Sequence, residues 1–482
     1  MQVIKFAIIT ILLSFEVVSA ITDKVVCYYG SWSVYRNSKG KFTIEDIDPN
    51  LCTHAIYTFV GINLDGSIRI MDEYNEVYNN GFKRFNGLKK LNPNLKTLVA
   101  IGGWNEGSAK FSKVAASASL RKVLVNNAVT LLSTYGFDGF DLDWEYPGQR
   151  DGSSLDKANF IELVKELRAT FDKYGYLLTA AVAAAATSVD ISYNVPALSK
   201  YLDFINVMTY DLHGSWEKFT GHNAPLYPSS QDVTAAAKEL NVVACINAWI
   251  ERGASPKKLI LGIGIYGRSY TLADPNNAAI GAPAIGAGLP GPYTSEAGML
   301  GYNEICEMQL SGQWAIAWSD EQQVPYTHLK NQWVGYDNPK SVTLKVNFAK
   351  KMLLGGAMIW SIETDDFRGV CGSKYPILSA INAAIRGGSS ENSSSSSSTS
   401  TASSATTASP SATTAATQTT VKDGVAFECK GSGHFRDPLN CSRFYYCLKY
   451  GTLYIKYTFN CSKDLVYDPE RNVCDYPSAV KC

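Results

Sequence analysis

Short apolar runs alternate with longer amphipathic stretches along most of the chain. The apolar runs have the length and composition of buried strands, whereas the stretches between them repeat apolar residues at helical spacing. Helices are predicted at 110–134, 156–173, 232–252 and 341–353. Eight strands are predicted, at 24–30, 53–62, 96–104, 136–146, 177–185, 202–211, 258–267 and 355–366.

Eight strands that alternate with helices indicate an α/β protein with a parallel (β/α)8 TIM barrel. The alternative is a doubly wound open sheet, but no G-x-G-x-x-G sequence follows the first strand to support a dinucleotide site. Residues 268–340 are too many for one connection and are rich in Gly, Pro, Tyr and Trp. We predict that they form a small α+β subdomain inserted between the seventh and eighth strands.

Both ends of the chain differ from the barrel in composition. Residues 1–20 combine a lysine, an apolar run and small residues before the expected cleavage point, which is typical of a secretory signal peptide. The apolar run is about half as long as a membrane-spanning helix, so we expect a secreted, extracellular protein with no membrane segment after cleavage. From Ser389 to Thr420, 22 of 32 residues are Ser or Thr, which predicts a linker without a core over 388–422.

The linker separates a barrel domain at 21–387 from a small module at 423–482. Six of the 11 cysteines lie in the last 54 residues, and a domain this small needs disulfides to supplement its core. We predict an all-β, disulfide-rich module, and the sequence alone leaves the pairing open. A zinc site is the alternative reading of clustered cysteines, but export and the spacing argue against it.

Charge and histidine content exclude several classes of function. The formal net charge is zero, so no nucleic-acid partner is expected. The five histidines show no metal-ligand spacing such as H-x-x-H, and we expect neither a metal nor a cofactor. Cys245 has no base nearby in the sequence and is predicted to be a buried free thiol. The protein is expected to be a monomer.

One predicted strand, GFDGFDLDWEY at 136–146, carries a row of carboxylates. Because strand side chains alternate between faces, Asp141, Asp143 and Glu145 share one face, about 6–7 Å apart, and point into the barrel. Glu145 lies nearest the substrate, and repulsion from the acids behind it should raise its pKa, as a general acid requires. A calcium loop or a solvated edge strand is the alternative, but the glycine that a calcium loop needs at its sixth position is missing.

Four motifs resemble glycoside hydrolase family 18, a family of chitinases. FDGFDLDWE is similar to the family signature D-G-x-D-x-D-x-E, KTLVAIGGW to its Gly-Gly strand, MTYDLHG to its M-x-Y-D segment and GAMIWSIETDD to its last strand. They occur in the family's order over about residues 23–386. Relatives that only bind chitin usually lack the final Glu of the signature, which is present here as Glu145. Glu363 stands where the last strand usually has Asp, a change that we expect to have little effect.

The resemblance implies hydrolysis in which the substrate supplies its own nucleophile and the anomeric configuration is retained. The acetamido oxygen of the sugar before the cut attacks its own anomeric carbon, while Glu145 protonates the leaving oxygen and later deprotonates a water. Asp143 turns between Asp141 and the acetamido N–H. Tyr210 hydrogen-bonds the acetamido carbonyl, and Asp211 positions the sugar.

The resemblance also implies a substrate cleft lined by aromatic residues, although core packing is the alternative for any one of them. Trp360 would form the floor under the distorted sugar and Trp104 would lie further along the cleft, whereas Trp32 has a weaker claim. The predicted substrate contacts are Tyr28, Phe59, Gly103, Trp104, Met208, Asp211, Tyr266, Arg268 and Trp360.

The C-terminal segments CKGSGHFRDPLNCSRFYYCLKYG and CSKDLVYDPERNVCDYP resemble the peritrophin-type chitin-binding module, carbohydrate-binding module family 14. Exposed aromatic residues of such a module would hold the polymer, and Tyr467 and Tyr476 are the candidates. The resemblances also imply five disulfides, namely Cys27–Cys52, Cys306–Cys371, Cys429–Cys447, Cys441–Cys482 and Cys461–Cys474.

Together the resemblances imply a secreted, endo-acting chitinase that cuts β-1,4 bonds between N-acetylglucosamine units. Its partners would be chitin and chitooligosaccharides. The alternative is a chitin lectin or matrix protein that binds through both domains without hydrolysis.

Overall fold

The computed structural model describes residues 22–387 and, in the C-terminal module, 427–431, 433–450, 453–461, 465–469, 473–478 and 480. The predicted signal peptide and the whole of the predicted linker lie outside the described residues. The chain divides into two compact units, Met1–Ser394 and Ser395–Cys482. None of the helices within the described ranges is long and apolar enough to cross a membrane.

Eight parallel strands close into a barrel in the first unit, as the apolar runs predict. Each strand pairs with its neighbours in chain order, and the first strand pairs with both the second and the last, so the eight strands form a closed barrel. The doubly wound alternative is thereby excluded. The strands are β1 (Lys24–Gly30), β2 (His54–Ile62), β3 (Lys96–Gly102), β4 (Gly139–Asp143), β5 (Leu177–Ala183), β6 (Phe204–Met208), β7 (Leu259–Gly264) and β8 (Gly356–Trp360). A short strand, Ile68–Ile70, pairs antiparallel with the end of the second strand.

Helices cover the outside of the barrel and bury one apolar cluster against it. The helix predicted at 110–134 is two helices, because Ser117 has an extended backbone. The stretch at 232–252 is also divided, and the Asn241 side chain caps its second helix. The α-helices are Gly81–Gly87, Ala109–Ala116, Ala118–Tyr135, Asp156–Phe171, Ala186–Ser192, Val195–Tyr201, Ala235–Lys238, Val242–Glu251, Pro339–Lys351 and Pro376–Arg386.

The insertion is an antiparallel sheet with one helix, which confirms the predicted α+β subdomain. It begins directly after β7, so it stands on the side of the barrel where the strands have their carboxyl ends. Its helix is Tyr302–Gln309, and its strands are Tyr266–Leu272, Ala284–Ala287, Met299–Gly301, Ala315–Ser319, Val324–Leu329 and Gln332–Gly335.

The disulfides of the barrel domain agree with the expectation. Cys27 bonds to Cys52 and Cys306 to Cys371. The second bond joins the helix of the insertion to the segment that follows β8. Cys245 is free and buried, as predicted.

The C-terminal module is built from strands, as predicted. One antiparallel sheet contains Gly433–Asp437, Asn440–Tyr450 and Leu453–Asn460, and a second contains Val466–Asp468 and Val473–Asp475. The bonds Cys429–Cys447 and Cys461–Cys474 are present. Cys441 is also disulfide-bonded, but its predicted partner Cys482 lies outside the described residues.

Candidate active site

Strand β4 carries the acid row (Asp141, Asp143 and Glu145) to the carboxyl end of the barrel. The exposed fraction rises along the row, from 0% at Asp141 to 3% at Asp143 and 9% at Glu145. Strand β4 ends at Asp143, so Glu145 belongs to the segment just beyond it. Trp144 faces the other way and stacks on Phe111 in the helical layer. The alternation that predicted inward-facing acids is therefore confirmed.

Asp141, the deepest acid, is held by three neutral donors. Tyr28 donates to Oδ2 at 2.7 Å, and Thr179 donates to Oδ1 at 2.5 Å. Asn206 donates to Oδ1 at 3.4 Å and to the Tyr28 hydroxyl at 3.0 Å. Burial raises the pKa of Asp141 to about 6, and the hydrogen bonds counteract part of that rise. Asp141 is thus fixed in place from behind.

Asp143 has a different environment from Asp141. Its Oδ1 atom is buried and has no hydrogen-bond partner among the described residues. Burial raises the pKa of Asp143 well above its usual value, and the charges of Glu145 and Asp141 raise it further. The middle acid is therefore a buried carboxyl group with one oxygen that no described group satisfies.

Glu145 has the raised pKa that a general acid requires, but for a reason other than the predicted one. Burial is the largest cause and raises the pKa of Glu145 to about 7. The charge of Asp211 raises it further, whereas Arg150 lowers it. The sequence analysis attributes the raised pKa of Glu145 to repulsion from the acids behind it. The direction was right, but burial is the stronger effect.

An aromatic platform, made of Trp32, Phe59 and Trp360, borders the acid row on the β1, β2 and β8 side. The Phe59 ring stacks on Trp360 at 5.8 Å between centroids and on Trp32 at 6.1 Å. Trp32 is 41% exposed. This residue, which had the weaker claim in the sequence analysis, therefore belongs to the open part of the aromatic platform. Tyr28, predicted to contact substrate, is buried behind the platform with its hydroxyl on Asp141.

The end of β3 brings the backbone close to the acid row. Gly103 donates its N–H to the Asp143 carbonyl at 2.9 Å. Its φ is +83°, and a Cβ at this position would lie 2.7 Å from the Phe59 ring, so only glycine fits here. The next residue, Trp104, is 57% exposed and offers a ring to the cleft.

Arg150 links Trp104 to the segment that carries Glu145, a role that we did not predict. Its guanidinium lies 3.5 Å from the centre of the Trp104 ring. The same side chain donates to the carbonyl of Trp104 at 2.9 Å and to that of Glu145 at 3.0 Å. Arg150 follows the signature motif by only a few residues. Because its backbone has a φ of +51°, the direction of its side chain could not be predicted from the sequence.

Residues after β6 and β7 complete the opposite wall. Burial raises the pKa of Tyr210, so its hydroxyl stays a neutral donor; it points at the Met358 sulfur, 3.8 Å away. Asp211 forms an ion pair with Arg268 at 2.7 Å. Arg268 lies 5.4 Å from the ring of Trp216, an exposed tryptophan in the loop after MTYDLHG that the sequence analysis missed. The other predicted contacts on this wall are Met208 at the end of β6 and Tyr266 at the start of the insertion.

In the C-terminal module, the structure contradicts one of the two predicted binding residues. Tyr467 is 1% exposed and stacks on Phe444 with 4.1 Å between ring centroids. Its ring therefore packs inside the module and presents no face to a polymer. Tyr476 is 66% exposed, so its role as a chitin contact stays a prediction.

The chain matches the family model for glycosyl hydrolases family 18 over residues 24–365. It also matches the model for the chitin binding Peritrophin-A domain over residues 429–482. The chain therefore belongs to glycosyl hydrolase family 18 and carries a C-terminal peritrophin-A chitin-binding domain.

Similar proteins include both chitinases and a pseudo-chitinase. Chitotriosidase-1 of Mus musculus is 43% identical over 364 residues, which cover 74% of this chain and 76% of the relative. The Ostrinia furnacalis Group IV chitinase, solved in complex with allosamidin, is 46% identical with a TM-score of 0.74 and covers 75% of this chain and 99% of that one. Human YKL-39, described as a pseudo-chitinase with retained chitooligosaccharide binding, is 41% identical with a TM-score of 0.70 and covers 75% and 99%. Membership of the family therefore does not decide whether this chain is active.

Proposed function

We propose that the protein is a secreted chitinase that cuts β-1,4 bonds within chitin chains and retains the anomeric configuration. The observation that carries the proposal is the contrast within the acid row. Asp141 is fixed by three donors, Asp143 has an unpaired oxygen, and Glu145 has a pKa of about 7 beside it. A site that only binds sugar would need fixed carboxylates such as Asp141. It would need neither the unpaired oxygen of Asp143 nor the raised pKa of Glu145.

In the first step, Glu145 acts as the general acid. Its proton moves to the oxygen of the bond that breaks, while the acetamido oxygen of the preceding sugar forms a bond to the anomeric carbon. The acetamido N–H gains positive character in the resulting oxazolinium ring. Asp143, buried and without a fixed partner for Oδ1, accepts that N–H and, once ionised, stabilises the ring. Tyr210 donates to the acetamido carbonyl.

In the second step, the Glu145 carboxylate acts as the general base. It takes a proton from a water molecule, whose oxygen attacks the anomeric carbon and opens the ring. The carboxylic acid is restored and the product keeps the starting configuration. A pKa near neutral suits a group that must give up a proton and then take one back.

A product analysis with N-acetylchitohexaose tests the proposal. The wild type should release mixed internal fragments whose new ends are first formed as the β-anomer, measured by NMR at early times. Glu145→Gln keeps the shape of the side chain but has no proton to give, so turnover should fall by about 10²- to 10⁴-fold. A wild type without turnover at any pH would leave the lectin alternative, and turnover that survives in Glu145→Gln would remove Glu145 from its role.

The peritrophin-A domain is proposed to hold the enzyme near solid substrate. A second binding unit on a long linker raises the local concentration of the barrel at the polymer surface. Deletion of 389–482 should weaken binding to solid chitin at least about tenfold while leaving turnover of a soluble fluorogenic chitooligosaccharide within about twofold. Collapse of soluble turnover would contradict this division of labour.

A further inference from the structure

Glu363 is a fully buried carboxylate that joins the carboxyl ends of two neighbouring barrel strands. The Ser361 hydroxyl, just after β8, donates to its Oε1 atom at 2.6 Å. The N–H of Gly30, the last residue of β1, donates to its Oε2 atom at 3.1 Å. Each carboxylate oxygen of Glu363 thus holds the end of one strand. Glu363 itself is not part of the acid row.

The same residue fastens the segment that follows β1. Arg36 lies at the end of that segment, and its Nη2 atom is 3.7 Å from Oε1 of Glu363. Its Nη1 atom donates to the backbone carbonyl of Glu363 at 3.4 Å. Trp32, the outer ring of the aromatic platform, lies between Gly30 and Arg36. Glu363 therefore holds this segment at both of its ends.

Packing at Gly30 leaves no freedom between Glu363 and Trp32. A Cβ on Gly30 would lie 2.5 Å from Oε1 of Glu363 and 2.8 Å from the Trp32 ring. The φ of Gly30 is −77°, which any residue can adopt. Glycine is thus needed here for space and not for conformation, because the carboxylate and the indole occupy the room that a side chain would take.

We propose that Glu363 is a positioning residue that sets the spacing of Trp32 and Trp360 and thereby the affinity for longer chitooligosaccharides. Trp360 directly precedes Ser361, and its ring lies 6.2 Å from that of Trp32. Two adjacent sugars can span this distance, so an oligomer can use both rings whereas a single N-acetylglucosamine can use only one. The inference rests on the proposed function, because it names how that site would select substrate length. It also reverses the expectation that the change from Asp to Glu has little effect.

A purely structural role is the competing explanation, and the chain offers a matched control for it. Glu304 is also buried and also accepts backbone N–H groups, from Tyr293 at 2.6 Å, Thr294 at 2.9 Å and Gly301 at 2.7 Å. These contacts lie within the insertion and not at the aromatic platform. Loss of stability alone should therefore follow from Glu304→Gln as well as from Glu363→Gln.

Binding can be measured on the full chain without interference from the C-terminal module. All nine tryptophans lie between Trp32 and Trp360, so intrinsic tryptophan fluorescence reports on the barrel domain alone. The experiment titrates the monosaccharide N-acetylglucosamine and N-acetylchitohexaose into Glu145→Gln protein, which keeps the hexamer intact. The variants Glu363→Gln, Glu363→Asp, Gly30→Ala and Glu304→Gln are added to this background, and thermal unfolding is recorded for each.

Glu363→Gln should raise the Kd for the hexamer about tenfold and the Kd for the monosaccharide less than about twofold. The amide has one acceptor oxygen, so it loses either the Gly30 or the Ser361 contact. Glu363→Asp keeps the charge but shortens the reach and should fall between wild type and Glu363→Gln. Gly30→Ala should weaken the hexamer in the same way, because it displaces Trp32 or the carboxylate. Glu304→Gln should change stability without changing the ratio of the two Kd values.

The inference is overturned if Glu363→Gln leaves hexamer affinity unchanged, weakens hexamer and monosaccharide equally, or behaves as Glu304→Gln does. It is also overturned if the Glu145→Gln background does not bind the hexamer. If the wild type shows no turnover but Glu363→Gln still weakens the hexamer selectively, only the proposed catalytic function fails. If Glu363→Gln does not fold, the Kd values of Glu363→Asp and Gly30→Ala decide the question in the same way.

Discussion

Two groups of buried acids stand at the carboxyl end of the barrel, and they differ in how their oxygens are occupied. The acid row follows β4, and the last-strand acids, Glu363, Asp365 and Asp366, follow β8. Every oxygen of Asp365 and Asp366 accepts a backbone N–H: Asp365 from residues 366, 377 and 378, and Asp366 from residues 370 and 371. In the acid row, Asp143 keeps a buried oxygen without such a partner. Burial of the acids alone therefore does not distinguish the two groups, whereas the unpaired oxygen of Asp143 does.

A raised pKa does not separate the two groups either. Burial raises the pKa of Asp365 to about 7 and that of Glu145 to about 7. Asp365 nevertheless binds the first turn of the helix Pro376–Arg386 through its carboxylate. Glu145 lies at the open end of its row, beside Asp143 and close to the exposed ring of Trp104. The partners and the access of the group decide its role, and the pKa only makes that role possible.

Asp143→Asn tests the difference between the two groups of acids with the largest expected effect. The substitution removes a carboxyl group that is proposed to ionise beside the cationic oxazolinium ring, so turnover of a fluorogenic chitooligosaccharide should fall by about 10²- to 10³-fold. Because the lost carboxyl group had an unsatisfied buried oxygen, the free energy of unfolding should stay the same or rise. Unfolding in urea followed by tryptophan fluorescence checks the second point. A variant that loses stability while keeping turnover would reverse the assignment.

Asp366→Asn should give the opposite result. An amide can accept only one of the two N–H bonds from Val370 and Cys371, and its NH2 group would face the other donor. The free energy of unfolding should fall by about 1–3 kcal/mol. Turnover per folded molecule should remain within about twofold, because Asp366 contacts no residue of the acid row. Urea unfolding and active-enzyme counting measure the two effects, and a large loss of turnover at full stability would contradict the comparison.

The pH profile sharpens the comparison with a smaller effect. Glu145 must carry its proton to act as an acid, so kcat/KM should decline above about pH 7 as that proton is lost. Arg150 lowers the pKa of Glu145; its removal in Arg150→Gln should raise that pKa and move the basic limb up by about 0.5 pH unit. Arg252→Gln, which removes an exposed ion pair with Asp190, is the control and should not move the limb. A downward shift in Arg150→Gln would show that another group sets the limb.

Periodicity and composition predicted most of the fold, because they report local preferences. All eight barrel strands and the α+β insertion follow from apolar runs and from a stretch too long to be a connection. Alternation along one strand likewise placed the acid row inside the barrel. These features need no knowledge of which distant residues meet.

Contacts between distant strands could not be predicted from the sequence. Thr179 and Asn206 hold Asp141 from β5 and β6, and their only signal was a polar residue within an otherwise apolar strand. Strand register decides that such residues meet Asp141. The change from Asp to Glu at position 363 is expected to have little effect because it keeps the charge. The bond of Glu363 to Gly30, which forms only when the first and last strands meet, could not be read from the sequence. The burial of Tyr467 depends in the same way on packing against Phe444.

The unpaired cysteine of the barrel domain affects when its disulfide bonds can exchange. Of the five cysteines before the linker, four form two bonds, and Cys245 is enclosed by the helix Val242–Glu251 and its neighbours. Burial raises the pKa of its thiol to about 12, so the thiolate that attacks disulfides is nearly absent at neutral pH. Scrambling through Cys245 is therefore confined to nascent chains, and a finished molecule is protected from linking to its neighbours by this route.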